Sequence, residues 1–294
     1  MGARSIPPPP LAVRRVLHVA WPFVGVLVTG LMVPVIVAGA FMVLVDRRAR
    51  LFRASCLAVV LMWGDIRVLQ GGWALWAKTP DQSSPTWRED HEKLFSTALD
   101  SLMYYARRWV GLEVVLEDRM HFGSDDEPLL ALARHAGPAD SLAIAWLLSR
   151  TAGRLPRIVL AEALRWDPGI DTILSRLQSF FMPAQAHPGQ DRAAGLGEMA
   201  ATMRDNDVFV IFPEGQNWTP TRRAGMIRRL RERGDTALAR RAEELQSVLP
   251  PRTKGAWAAR SARPAADVMV LAHVGLDQLA SPRMIWDALP FHDR

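Results

Sequence analysis

The sequence predicts an α/β fold, a mostly parallel central sheet flanked by helices and preceded by an N-terminal membrane helix or helical hairpin. Three observations carry this expectation. From Leu17 to Val45 there is no Asp, Glu, Lys or Arg, and about 20 apolar residues suffice to cross a bilayer as a helix. Beyond Glu92, short apolar runs alternate with stretches of helical periodicity, as in β-α-β units. Two of these runs, Val208–Phe212 and Val268–Ala272, contain no polar residue, the form of a strand buried on both faces of a parallel sheet.

The elements follow in order. Arg14 and Arg15 precede the uncharged run, and Arg47, Arg48, Arg50 and Arg53 follow it. The larger basic cluster marks its own end as cytoplasmic and reads as a stop-transfer signal rather than a secretory leader. Pro22, Pro34, Gly25, Gly30 and Gly39 admit a bent or re-entrant helix. A second apolar stretch, Ala54–Gly64, is too short to span and suits the interface or the return arm of a hairpin. Trp63, Trp73 and Trp76 suit the headgroup level, where indoles are half wet. Residues 1–77 are thus expected to anchor the chain, with 78–92, polar and holding two prolines, as a linker.

Residues 93–294 then form one α/β domain. Helical spacing covers Glu92–Trp109 and Asp140–Leu148, with a further helix from about Gly169 to Ser179. Strands are expected at Gly111–Leu116, Pro128–Ala133 and Arg157–Leu160, ahead of the two apolar runs. The arginine-rich segment Arg222–Arg241 reads as a basic helix that faces anionic headgroups, donor phosphates or water.

Composition removes several function classes. With 49% hydrophobic and 22% charged residues among 294, the chain can build a core and is not disordered. Charges recurring after Lys78 exclude a polytopic transporter. Cys56 stands alone, which excludes a disulfide scaffold, zinc ribbons and iron–sulfur sites. No metal and no bound cofactor is expected. A net charge of +6 suits a membrane surface or a phosphorylated ligand. Nucleic acid is not an expected partner, because no groove-reading or stacking motif accompanies the arginine run.

In open α/β sheets, ligands gather beyond the carboxyl ends of the strands. One such end carries His135-Ala136-Gly137-Pro138-Ala139-Asp140. A turn at Gly137-Pro138 can return the Asp140 carboxylate to one ring nitrogen of His135, fixing the tautomer and leaving the other nitrogen to take a proton. Without a nucleophile elbow, His135 suits a general base toward a substrate hydroxyl; by itself the pair also fits a chance spacing. A second strand end carries Phe212-Pro213-Glu214-Gly215, where a proline and a glycine bracket an acid, and Gln216, Asn217, Arg222 and Arg223 add donors. Either this turn offers N–H groups to an anion, or its glutamate faces water. A third segment, Leu249-Pro250-Pro251-Arg252-Thr253-Lys254-Gly255, is either a phosphate pocket or a solvated basic turn.

HxxxxD, FPEG and PPRTKG in that order resemble the glycerophospholipid acyltransferase family, over about residues 110–275. His135–Asp140 matches the family's catalytic motif, Phe212–Gly215 its FPEG motif, and Ala161–Met182 resembles its second block. The resemblance implies the glycerol-3-phosphate acyltransferase-like fold, and membrane helices before it. It implies an O-acyltransferase in phospholipid synthesis that moves a fatty acyl group from acyl-CoA or acyl carrier protein to a lysophospholipid. The first expectation is 1-acylglycerol-3-phosphate as acceptor, giving phosphatidic acid. His135 and Asp140 are then catalytic. Glu214, Gly215, Gln216, Asn217, Arg252 and Lys254 bind substrate, the Ala136–Gly137 amides stabilise the oxyanion, and the catalytic domain lies on the cytoplasmic face. Gln216 and Asn217 stand where the family pattern has Thr and Arg, no arginine follows Phe180-Phe181, and Arg134 replaces a frequent asparagine before the histidine. Another lysophospholipid or a glycolipid therefore stays open as acceptor, as does an inactive membrane-anchored binding protein on this scaffold.

Overall fold

The computed structural model describes residues 6–116, 127–183, 191–279 and 281–291; Met1 and Arg294, the outer limits of the expected domains, lie outside them. Helix α1 (Leu11–Met42) runs unbroken through Pro22 and Pro34. Its 32 residues are about 48 Å long at 1.5 Å each. It is the one described helix long and apolar enough to cross a bilayer. Helix α2 (Arg50–Lys78) returns antiparallel against it. Gly25 faces Ile66, and Gly39 lies so close to Phe52 that a Cβ would meet its backbone nitrogen at 2.7 Å. Trp63 Nε1–H donates to Thr29 Oγ1 at 2.8 Å across the same seam. The expected short stretch Ala54–Gly64 is only part of α2, which continues through Asp65 and Arg67. Asp65, within the helix, accepts a hydrogen bond from Trp21 Nε1–H of α1.

Helix α3 (Pro85–Val110) starts within the expected linker, leaving 79–84 as the connection. Pro85 fits the first turn, where its missing N–H has no partner to lose. Trp87, His91, Phe95, Leu99 and Met103 form a buried stripe at helical spacing. The helix lies antiparallel along α2, with Gly71 against Leu94 at one end and Arg53 Nη1 donating to the Trp109 carbonyl at 3.0 Å at the other. Its outer face is mostly polar: Glu89, Lys93, Thr97, Ser101, Arg107 and Arg108 are exposed, with Tyr104 among them. Gly111, at φ 74°, closes the helix in the left-handed region.

The strand expected at Gly111–Leu116 is absent. Among the described residues no neighbour takes its backbone groups into a ladder; Leu112 packs instead with Val110 and Leu289 in a small satellite cluster.

The sheet holds β1 (Leu129–Ala133), β2 (Leu155–Ala161), β3 (Phe180–Met182), β4 (Asp207–Ile211) and β5 (Asp267–Leu271). All five are parallel, in the order β3-β2-β4-β1-β5. Helices α4 (Pro138–Thr151) and α5 (Pro168–Arg176), with α3, cover one face through Phe95, Leu99, Ile144, Leu148 and Ile173. Helix α6 (Arg192–Ala201) covers the other through Leu196 and Met199, beside Ala259 of α9 (Thr253–Ala262). Strand β4 is buried along its whole length, as expected. β5 is not, because it forms the sheet's edge: Val268 is 50% and Val270 75% exposed.

At the amino edge of the sheet, buried Asp207 receives Arg157 at 3.4 Å and also pairs with Arg88 of α3. The basic segment Arg222–Arg241 falls on two helices, α7 (Pro220–Glu232) and α8 (Thr236–Glu244), separated at Gly234 with φ 78°. Helix α10 (Pro282–Ala288) follows β5.

Candidate active site

β1 and β4 are neighbours, so their carboxyl ends deliver His135 and Glu214 side by side. Gly137 caps α4, and Asp140 occupies the third position of its first turn. From there a carboxylate reaches back, by the geometry of a capping box. Asp140 Oδ2 accepts the N–H of Ala136 at 2.6 Å and of Gly137 at 2.9 Å. The same carboxylate meets His135 Nδ1 at 3.1 and 3.2 Å. The spacing of four residues is what lets one side chain hold both the turn and the ring.

Asp140 is fully buried. Burial works to raise its pKa, but the hydrogen bond and charge of His135, with the amides of Gly137 and Ala136, outweigh it and hold the carboxyl below its ordinary range. An ionised Asp140 can only accept, so Nδ1 of His135 carries a proton, and in the neutral imidazole Nε2 presents the lone pair. Nε2 has no hydrogen-bond partner among the described residues, and the side chain keeps 18% exposure. The ring lies 4.4 Å from the Phe212 ring, which limits its rotation.

One sequence expectation is corrected here. The Ala136 and Gly137 amides are both engaged by Asp140 and are not free to stabilise an oxyanion.

Glu214 is 4% exposed and points inward. One carboxylate oxygen accepts the His135 N–H and the other the Leu249 N–H, each at 2.7 Å. It therefore joins the HxxxxD strand end to the loop that leads into α9. Gly215 takes φ 68°, a left-handed conformation that favours glycine, and closes a turn onto the Phe212 carbonyl at 2.9 Å. Trp218 N–H then donates to the His135 carbonyl at 2.9 Å. Between them, the backbone N–H groups of Gln216 and Asn217 have no acceptor among the described residues. The Gln216 side chain donates to Met226 Sδ at 3.4 Å, and the Asn217 carbonyl accepts from Arg222 at 3.0 Å.

Arg252 is brought to the same place, but Lys254 is not. Arg252 N–H donates to the Pro213 carbonyl at 2.7 Å, and its side chain passes over Gly215. Lys254 stands exposed on the first turn of α9, without an ion pair among the described residues.

One residue of this constellation, His273, escapes the motif reading, and a second, Arg134, enters it only as a departure from the family pattern. His273 follows β5, and its Nε2 lies 3.2 Å from the Arg134 carbonyl and 3.7 Å from Asp140 Oδ2. A histidine directly after an apolar strand run is the same signal that marks His135. Arg134 donates to the Ser247 and His273 carbonyls at 2.9 and 2.7 Å and pairs with Asp277. It ties the end of β1 to the segment after β5.

The site thus combines an oriented histidine whose free nitrogen faces outward, a turn with unengaged amides and an arginine beside it. That set can deprotonate a hydroxyl and receive an anion. No curated protein and no solved structure matches the chain. The model of one family, described as acyltransferase, matches residues 110–270, from the end of α3 through nearly all of β5. Those residues are more than half of the chain and hold both His135 with Asp140 and the Glu214 turn, and the chain belongs to this acyltransferase family.

Proposed function

We propose that the protein is a membrane-bound O-acyltransferase that acylates the free hydroxyl of a lysophospholipid, with 1-acylglycerol-3-phosphate as acceptor and phosphatidic acid as product. The observation that carries the reading is the His135–Asp140 pair, with Nδ1 committed to an ionised carboxylate and Nε2 free at a strand's carboxyl end. Nε2 takes the proton of the acceptor hydroxyl as its oxygen attacks the thioester carbon of acyl-CoA or an acyl carrier protein. The tetrahedral oxyanion collapses, the C–S bond breaks, and the leaving sulfur takes the proton back from the imidazolium. Asp140 stabilises that imidazolium without taking its proton. The oxyanion's donors in this reading are the Gln216 and Asn217 amides, since those of Ala136 and Gly137 are occupied. No bound cofactor enters the scheme. Arg252, held over Gly215, receives the acceptor phosphate.

Attachment is through α1, whose exposed face carries Val16, Val19, Phe23, Val26 and Leu27. The polar outer face of α3 favours attachment in the plane of one leaflet over spanning. α1, α2 and α3 run side by side, so a bilayer wrapped around α1 would also enclose Glu89, Lys93 and Arg107; each charge in hydrocarbon costs several kcal/mol, about 2.5–3.5 by insertion scales. The basic turn Arg47–Arg50 then rests on the cytoplasmic leaflet.

A second reading, acylation of another lysophospholipid or a glycolipid, is favoured by the lack of an arginine after Phe180-Phe181 on β3. A matrix of acyl donors and lysolipid acceptors, read by lipid mass spectrometry on membranes holding the protein, separates the two. Turnover confined to 1-acylglycerol-3-phosphate supports the first, preference for a larger headgroup supports the second, and no turnover with any pair contradicts both.

A further inference from the structure

A cleft of about 710 Å³ opens where the start of α1 meets the end of α2, lined by Arg15, His18, Trp73, Trp76, Ala77 and Arg176. It lies away from the catalytic end. α5 descends from the carboxyl end of β2 to the start of β3, so Arg176, its last residue, sits at the amino edge of the sheet. His135 follows β1 at the carboxyl edge.

We propose that this cleft is a second, non-catalytic site for the phosphate of an anionic phospholipid headgroup. Arg15 and His18 are one turn apart on α1, and Trp73 and Trp76 one turn apart on α2, so each pair shares a face and the faces meet. Two guanidinium groups flank the opening with no acid among the described lining residues. Guanidinium forks match phosphate oxygens two at a time. Arg176 spends Nη1 on the Gly72 carbonyl and on His91 Nε2 at 3.0 Å, which orients the group and leaves Nε and Nη2 free among the described residues. Arg15 is exposed. The two indoles provide walls that are apolar in body and polar at the N–H, as the headgroup region requires.

The position of the cleft selects a lipid over a free anion. It lies where the exposed apolar face of α1 begins, so a phosphate between Arg15 and Arg176 leaves its acyl chains room along Val19 and Phe23, 64% and 72% exposed. Its volume lies within the range of small-molecule pockets, about 300–1,000 Å³. The proposal rests on the membrane reading of α1 but not on the acceptor chemistry.

The test is calorimetric titration of the full chain in neutral detergent with dihexanoylphosphatidylglycerol, a soluble short-chain lipid, and separately with inorganic phosphate. Binding of the lipid is expected, weakened about tenfold or more in Arg15→Gln through loss of one charge-assisted hydrogen bond. The double variant Arg47→Gln/Arg48→Gln, which removes two exposed cations outside the cleft, should bind as wild type does. Inorganic phosphate should bind far more weakly. Equal loss in both variants would mean diffuse surface charge, and no loss in Arg15→Gln would leave the cleft empty; either overturns the site. Phosphate binding as tight as lipid binding, with the same dependence on Arg15, overturns the lipid assignment. Because the probe is soluble, these outcomes do not depend on bilayer attachment. Flotation with phosphatidylcholine vesicles tests that separately, and Arg15→Gln should leave acyl transfer unchanged.

Discussion

The Glu214 carboxylate accepts the backbone N–H of His135 with one oxygen and that of Leu249 with the other, both at 2.7 Å. Glu214 therefore aligns β1's end with the loop before α9, and in the proposed reaction it acts only through His135. Glu214→Ala leaves two amides unpaired, that of Leu249 buried and that of His135 partly so, at up to about 1–3 kcal/mol each. We expect a lower thermal midpoint and a fall in kcat, with the acceptor KM within a few-fold of wild type. Glu214→Gln, which keeps one acceptor oxygen, should recover part of both. A selective rise in acceptor KM with stability unchanged would make Glu214 a ligand instead.

Arg252 and Lys254 should separate. Only Arg252 is fixed against the Glu214 turn, through its N–H on Pro213 and its side chain over Gly215. Loss of a charge-assisted contact worth about 1.5–3 kcal/mol should raise the acceptor KM of Arg252→Ala by roughly 10–150-fold. Lys254→Ala should change it less than threefold or so, the scale of an exposed charge. Measuring both KM values under one set of vesicle conditions decides, and an effect on the donor alone would reassign Arg252 to the donor's phosphates.

Much of this site was legible before folding, because its chemistry is packed into contiguous motifs. The six residues from His135 to Asp140 close on themselves through a helix start, so local spacing sufficed to pair them. The engagement of the Ala136 and Gly137 amides is not legible for a related reason: spacing shows that Asp140 returns to the turn, but not how many donors it occupies. Glu214 could be placed at a strand end from VFVIF alone, yet its partner Leu249 is far away in sequence. Exposure at β5 was illegible, since Val268–Ala272 looks like Val208–Phe212 and only sheet order separates edge from centre. The length of α2 was hidden by Asp65, whose partners lie on α1 and α5.

Those partners make Asp65 titrate anomalously. Burial, and then a hydrogen bond and repulsion from Asp167, push its pKa up to about 8, against weaker opposing bonds from Trp21 and the Gly169 amide. The folded state thus keeps a proton that the unfolded chain loses near 3.8. Its contribution to stability is full below about pH 4 and is lost progressively as pH rises through about 8. The thermal midpoint in detergent should fall between about pH 5 and pH 9, and Asp65→Asn should flatten that slope. An unchanged slope in Asp65→Asn would place the titration elsewhere.

The central claim is that His135 Nε2 removes the acceptor's proton. Its most direct test is the single-turnover rate of acyl transfer to 1-acylglycerol-3-phosphate in His135→Ala, at saturating donor and acceptor, with Asp140→Asn alongside. A lost general base costs on the order of 10²–10⁴-fold. We expect His135→Ala to fall by that much while its thermal midpoint and membrane attachment stay near wild type, and Asp140→Asn to fall severely as well. A His135→Ala rate within a few-fold of wild type would contradict the account.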